Sequence, residues 1–242
     1  MIILPAQNAV SPAETQKLRT ALTLLPERTR QGIANGDTGE FLEDFKAVLA
    51  GDRDDLLRLV DKTHALPDGY QPPDTVPLVK NNFYAISRDN LALRKPAEQA
   101  LRLMGAAAQK DGITLLASST YRSYDYQVTV YNRNVRLSGK ETADRESAQP
   151  GKSQHQLGTV VDFGSISDAF ADTGAGKWLA AHAGEYGWSL SFPDGYEDVT
   201  GYRWECWHYR YIGVTAAAFQ KKWFSNIQQF MLEFINAWRA ST

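Results

Sequence analysis

The chain has 242 residues, 43% hydrophobic and 22% charged, enough to bury a full core as one domain with an appendage. A formal net charge of −2 gives no electrostatic reason to expect nucleic acid or an anionic membrane as partner. No apolar run approaches the ~20 residues of a spanning helix, and the single Cys206 excludes an internal disulfide, so cysteine usage does not choose a compartment.

Met1-Ile-Ile-Leu-Pro5 lacks the basic start and long apolar stretch of an export signal, which fits either a cytoplasmic chain or one that has lost a leader. Ser11-Pro12-Ala13-Glu14 then combines an N-cap serine, a proline at the first helical position and a glutamate at the third, which together open a helix. Helical patterning runs to about Ala34, with Pro26 breaking it, and two further short helices are predicted over Glu40 to Leu49 and Asp52 to Lys62. Residues 1–65 read as a helical appendage. Leu66 to Asp74, dense in Pro, Gly and Asp, reads as the linker to a second domain over 66–242.

Beyond the linker, the spacing predicts a helix over Pro96 to Lys110, a buried strand over Ile113 to Ser119 and a helix over Ser123 to Arg136. Lys140 to Glu146 reads as a solvated loop able to rim a groove. A short strand follows at Val160 to Phe163, then a helix at Gly176 to Tyr186 and a strand at Trp207 to Ile212. From Thr215 onward, Phe219, Trp223, Ile227, Phe230, Phe234 and Trp238 recur at steps of three and four, the stripe of one amphipathic helix docked on the core. The order of elements predicts an α+β fold, a small mostly antiparallel sheet flanked by helices.

Two of the chain's four histidines fall in the segments that carry chemistry. Ser153-Gln-His155-Gln-Leu-Gly158-Thr-Val-Val-Asp162 is answered further on by Glu205-Cys-Trp207-His208-Tyr-Arg210-Tyr211. Two imidazoles and one carboxylate, His155, His208 and Asp162, are the open ligand set of a catalytic Zn²⁺, whose fourth position goes to a water with its pKa lowered to about 7. In a straight strand His155 and Asp162 would lie roughly 23 Å apart, so the chain must turn between them, and Gly158 is the residue able to take a positive φ there. Glu205 and His208 are an odd number of residues apart, so Glu205 must sit at a bend before the strand that projects His208. Alternation then puts Arg210 on the His208 face and Trp207, Tyr209 and Tyr211 on the other. His64 and His182 read as structural or surface residues.

These motifs, with Ser119-Thr-Tyr121-Arg122-Ser123-Tyr124-Asp-Tyr126-Gln127 upstream, resemble the VanY-type D-alanyl-D-alanine carboxypeptidases, relatives of the VanX dipeptidases and of Hedgehog-like zinc folds. The resemblance covers about Leu78 to Gly213. It implies zinc ligation by His155, Asp162 and His208, a general-base role for Glu205, an arginine facing the scissile carbonyl at Arg122, and contacts from Ser153 and Gln127 to the substrate's terminal carboxylate. The implied activity is zinc-dependent removal of the terminal D-alanine from peptidoglycan stem peptides, a D,D-carboxypeptidase; the same scaffold also serves L,D-carboxypeptidases acting on tetrapeptide stems. Such a substrate implies the cell envelope or periplasm. From a different class, a non-catalytic zinc-stabilised wall-binding module would need neither Glu205 nor Arg122. Two positions depart from the family pattern. Cys206 stands where proline is common, and Ser191 stands where an arginine is expected, a change that bears on groove charge.

Overall fold

In the computed structural model, residues 11–52 and 54–241 are described; the Met1 to Pro5 stretch lies outside them. The chain opens with α1 (Pro12–Leu24), α2 (Glu27–Gly32) and α3 (Thr38–Gly51). Ser11 Oγ accepts from the Glu14 amide at 3.2 Å while Glu14 Oε2 accepts from the Ser11 amide at 3.1 Å, the reciprocal cap predicted from Ser11 to Glu14. Pro26 stands between α1 and α2 and separates them, since it brings no N–H to continue the ladder.

The helix predicted over Asp52 to Lys62 is not formed. Asp52 Oδ1 takes the amides of Leu56 and Leu57, and Asp61 Oδ1 takes those of Thr63 and His64, so short acidic side chains replace the helical acceptors. The carbonyls of Leu56 and Arg58 are also diverted, both accepting from the guanidinium of Arg210 at 2.7 and 2.8 Å.

Next come β1 (Thr75–Pro77), β2 (Ala85–Ile86), β3 (Ala92–Arg94), α4 (Lys95–Lys110), β4 (Leu116–Ser119), α5 (Tyr124–Ser138) and α6 (Lys140–Glu146). The last was expected to be a loop; its seven residues are polar or small, and only Ala143 is buried. β5 (Val160–Phe163), α7 (Gly174–His182), β6 (Trp188–Leu190), α8 (Glu197–Thr200), β7 (His208–Tyr211), α9 (Val214–Trp223) and α10 (Gln228–Ala240) complete the order. β1 and β3 pair with each other. The main sheet has five strands in the order β2-β4-β5-β7-β6, antiparallel except for the β2–β4 pair. This is the α+β fold with a mostly antiparallel sheet that the sequence predicts.

Two large apolar clusters hold most of the core, with a small third one of Val60, Leu66 and Leu157. One joins α4 and α7 to the sheet through Leu101, Met104, Val161, Phe163, Trp188 and Tyr209. The other joins α1 and α3 to α9 and α10 through Phe41, Phe45, Phe219, Phe224, Phe230 and Phe234. The terminal apolar stripe is therefore two helices rather than one. Ser225 and Asn226 both adopt positive φ between them, and the turn lets α10 fold back along α1.

Candidate metal centre and active site

β5 and β7 are neighbours, and their register sets Asp162 directly opposite His208. His155 reaches the same point from a short 3₁₀ turn, Gln154–Leu157, that ends at Gly158 in the left-handed region (φ 72°) before the chain enters β5. A side chain at Gly158 would be strained there and would press on Arg94 and Pro72. His155, Asp162 and His208 thus offer one ligand atom each within 4.8 Å of one another, and all three are buried.

Hydrogen bonding selects which ring nitrogens face inward. His155 Nδ1 lies 2.7 Å from the Thr120 carbonyl, an acceptor only, so Nδ1 carries the proton and the Nε2 lone pair points at Asp162 Oδ2, 3.2 Å away. His208 Nε2 lies 3.3 Å from Gln154 Oε1, which leaves the Nδ1 lone pair facing Asp162 Oδ1 at 3.2 Å. Among the described residues no hydrogen-bond donor reaches Asp162 Oδ1 despite its burial. Two imidazole lone pairs and a carboxylate converging on one point repel one another unless a cation lies between them, so the donor set fits a divalent metal with nitrogen and oxygen ligands. Burial, with the charge of Arg122, pushes the His155 pKa down to about 4, which keeps the ring neutral and its lone pair free.

Glu205 sits in the turn before β7, its carbonyl accepting from the His208 amide at 3.1 Å and its Oε2 3.4 Å from His208 Nδ1. Burial, reinforced by the charge of Asp162, raises its carboxyl well above the ordinary range. Arg122 follows β4 and projects into the same place. Its Nη2 donates to Asp162 Oδ2 and to Ser119 Oγ, both at 3.0 Å, and its Nη1 to Gln127 Oε1 at 3.4 Å. These groups line a cleft of about 400 Å³ that Lys152, Ser153, Phe192, Tyr202 and Arg203 also wall.

Of the residues singled out from sequence, the structure brings His155, Asp162, His208, Glu205, Arg122 and Ser153 onto this cleft. Ser153 caps the 3₁₀ turn, its Oγ accepting from the His155 amide at 3.3 Å. Gln127 stands apart from them, off the lining of the cleft. Its amide is spent on the Ala148 carbonyl (2.7 Å) and on Arg122, and the side chain is fully buried behind the guanidinium. Ser191 is buried, and its hydroxyl donates at 2.7 Å to Gln154 Oε1, the acceptor beside His208. Cys206 Sγ points toward the Ser167 and Asp168 carbonyls, away from the metal ligands, and His64 and His182 pair locally with Asp61 and Glu185.

Sequence reasoning missed Thr120 and Gln154, which fix the two imidazoles. Their signal was available in retrospect, since each is adjacent to a motif residue and each histidine needs an acceptor for its outer nitrogen. It also missed Phe192, whose ring packs 4.6 Å from His208, and Tyr202, which packs on Phe192 at 4.8 Å.

Comparison with known proteins gives the family of the chain. Residues 90–214 match the VanY family, D-alanyl-D-alanine carboxypeptidase. The Bacillus subtilis (strain 168) protein YodJ is 40% identical over 171 residues, which cover 68% of this chain and 62% of YodJ, so the chain spans less than two thirds of that relative's length. Among solved structures, the LdcB LD-carboxypeptidase is 34% identical with a TM-score of 0.66, covering 76% of this chain and 86% of LdcB. The vancomycin resistance D,D-pentapeptidase VanY from a VanB-type cassette, solved in complex with Zn(II), is 27% identical with a TM-score of 0.55, covering 67% and 90%. The matched span contains His155, Asp162 and His208, which could hold a metal, with the buried Glu205 and Arg122 of the cleft, and the chain belongs to the VanY D-alanyl-D-alanine carboxypeptidase family.

Proposed function

We propose that the protein is a zinc-dependent carboxypeptidase that removes the terminal D-alanine from peptidoglycan stem peptides, with a pentapeptide ending in D-alanyl-D-alanine as substrate. The observation that carries this reading is the convergence of two imidazole lone pairs and the Asp162 carboxylate beside a buried, unligated Glu205. His155, Asp162 and His208 would hold the zinc, which would supply Lewis-acid polarisation of the scissile carbonyl and lower the pKa of the attacking water.

The remaining work falls to side chains of the cleft. Glu205, its proton affinity increased by burial, takes the proton from the attacking water and passes it to the leaving amine as the peptide bond breaks. Arg122 presents planar paired guanidinium donors, so it stabilises the oxyanion formed at the carbonyl or clamps a carboxylate of the substrate. Ser119 and Gln127 hold that guanidinium at the cleft wall. Ser153, on the same wall, supplies a hydroxyl for the substrate's carboxylate.

A second reading, an L,D-carboxypeptidase acting on tetrapeptide stems, is favoured by the likeness to LdcB, whose TM-score and share of this chain covered exceed those of VanY. The zinc ligands do not read the chirality of the penultimate residue, so the two readings share one mechanism. Both substrates lie outside the cytoplasmic membrane, and we accordingly propose the cell envelope as the site of action.

The test is mass spectrometry of purified muropeptides, pentapeptide and tetrapeptide in separate tubes, incubated with the zinc-loaded wild type and with Glu205→Ala. Loss of one alanine from the pentapeptide alone supports the D,D reading, and loss from the tetrapeptide moves the assignment to L,D. Zinc binding without loss from either would overturn both.

A further inference from the structure

A row of buried polar side chains runs from His208 into the carboxy-terminal helices. Gln154 Oε1 lies 3.3 Å from His208 Nε2, and the Ser191 hydroxyl stands within reach of two amide oxygens, Gln154 Oε1 at 2.7 Å and Gln228 Oε1 at 3.2 Å. Gln228 opens α10 and donates its amide nitrogen to the Ser189 carbonyl at 3.3 Å, while the Ser189 hydroxyl donates to Gln220 Oε1 of α9 at 3.0 Å. Gln154, Ser191 and Gln228 are all buried, so each polar atom depends on partners within the protein.

One proton has two claimants in this row. The Ser189 carbonyl only accepts, so the nitrogen of the Gln228 amide must face it and the oxygen must face Ser191. On the other side, a His208 ring that offers Nδ1 to a cation carries its proton on Nε2, so Gln154 also turns its oxygen toward the ring and toward Ser191. A serine hydroxyl has a single proton to give. Given to Gln154, the nearer acceptor, it pins the amide oxygen beside His208. Given to Gln228, it leaves two oxygens, Ser191 Oγ and Gln154 Oε1, facing each other at 2.7 Å with no hydrogen between them, which drives the Gln154 amide away from the ring.

We propose that Gln228 is a positioning residue for His208 that acts by competition: by drawing on the Ser191 proton it loosens the hold of Gln154 on the imidazole and lowers the metal affinity of the centre. The inference rests on the zinc reading above and deepens it by naming a control on that metal. Gln228 lies outside the matched residues 90–214, so the control comes from the helix that this chain packs behind its site. It also depends on Ser191 itself. The arginine expected at that position would bring donors enough for both amides, whereas a serine forces the choice.

The experiment measures zinc dissociation constants by competition with a chelating dye for wild type, Ser191→Ala, Gln228→Met and the double variant, with Tm of each metal-free protein. Methionine keeps the length of glutamine and offers neither the oxygen nor the N–H; Gln228→Leu serves as a second variant with the same expectation. Gln228→Met should tighten zinc binding about two- to tenfold even though it loses the bond to Ser189 and lowers Tm, and Ser191→Ala should weaken binding by about the same factor. In the Ser191→Ala background, Gln228→Met should leave the zinc constant within about twofold, because the contested proton is gone. A residue with a purely structural role would give the opposite sign, weaker zinc along with the lower Tm, in both backgrounds. Unchanged or weaker zinc binding in both Gln228 variants, or equal tightening without Ser191, overturns the competition. No zinc binding by the wild type overturns the zinc reading and this proposal together, whereas zinc binding without cleavage of either muropeptide overturns the carboxypeptidase reading and leaves the competition standing.

Discussion

His155 and His208 show how much of the site depends on atoms behind the ligands. Each ring is turned by one acceptor, the Thr120 carbonyl at 2.7 Å and Gln154 Oε1 at 3.3 Å, and the second is itself held by Ser191. Losing such an acceptor typically weakens metal binding by about 10–100-fold. Gln154→Leu should therefore raise the zinc dissociation constant by that order, measured by competition with a chelating dye, whereas unchanged affinity would remove Gln154 from the support of His208. Glu205 binds no metal in this reading, so Glu205→Ala should keep zinc affinity within a few-fold of wild type and lower kcat by about 10²–10⁴. Loss of zinc together with activity would make Glu205 a ligand instead. The ligands and the glutamate were legible as residues because spacing and residue type both point to them. The acceptors were not, since a backbone carbonyl carries no side-chain signature and a glutamine between a serine and a histidine has many uses.

The segment between α3 and β1 shows where local propensity was overruled. Leu56, Leu57, Leu59 and Val60 are buried as a helix face would be, yet the backbone is irregular because Asp52, Asp61 and Arg210 take its polar groups. Asp61 also receives the Gln229 amide of α10 at 2.9 Å. Burial by itself would raise the Asp61 carboxyl, but donors from Thr63, Gln229 and His64 outweigh it and the pKa falls below its ordinary 3.8. The folded state then binds fewer protons than the unfolded chain, so this contribution is present above pH 3.8 and is lost as the pH falls through the depressed value. The difference in unfolding free energy between wild type and Asp61→Asn should shrink across that acid window, as urea titrations at several pH values will report; a constant difference would count against it. The same element logic explains the division of the terminal stripe into α9 and α10. Its three-and-four spacing is continuous through Ser225 and Asn226, and periodicity does not reveal a turn made by residues that tolerate positive φ.

At the scale of the molecule, the amino-terminal helices and the carboxy-terminal pair bury one aromatic cluster between them. Phe45 is fully buried and touches Phe41, Phe219, Phe234 and Trp238. Phe45→Ala should cost about 3–5 kcal/mol and lower Tm, because the surrounding rings cannot close the cavity. Its zinc affinity should stay close to wild type, since the ligands stand on the other cluster. With two apolar clusters holding the fold, removal of metal by a chelator should abolish turnover while leaving helix content by circular dichroism nearly unchanged. Global unfolding on chelation would make the metal a folding element instead.

Residue type and order alone were sufficient to single out His155, Asp162, His208 and Glu205 as a candidate cluster, the turn at Gly158, the bend at Glu205 and the alternating face of β7. These follow from short-range rules of valence, φ and strand pleat, which act within a few residues. The tertiary structure decided what those rules do not reach. Pairing of β5 with β7 set Asp162 opposite His208, Gln127 was drawn behind Arg122, and Ser191 was turned toward Gln154. Each of those placements depends on contacts between residues distant in sequence, whose geometry is fixed by the packing of whole elements rather than by the residues beside them.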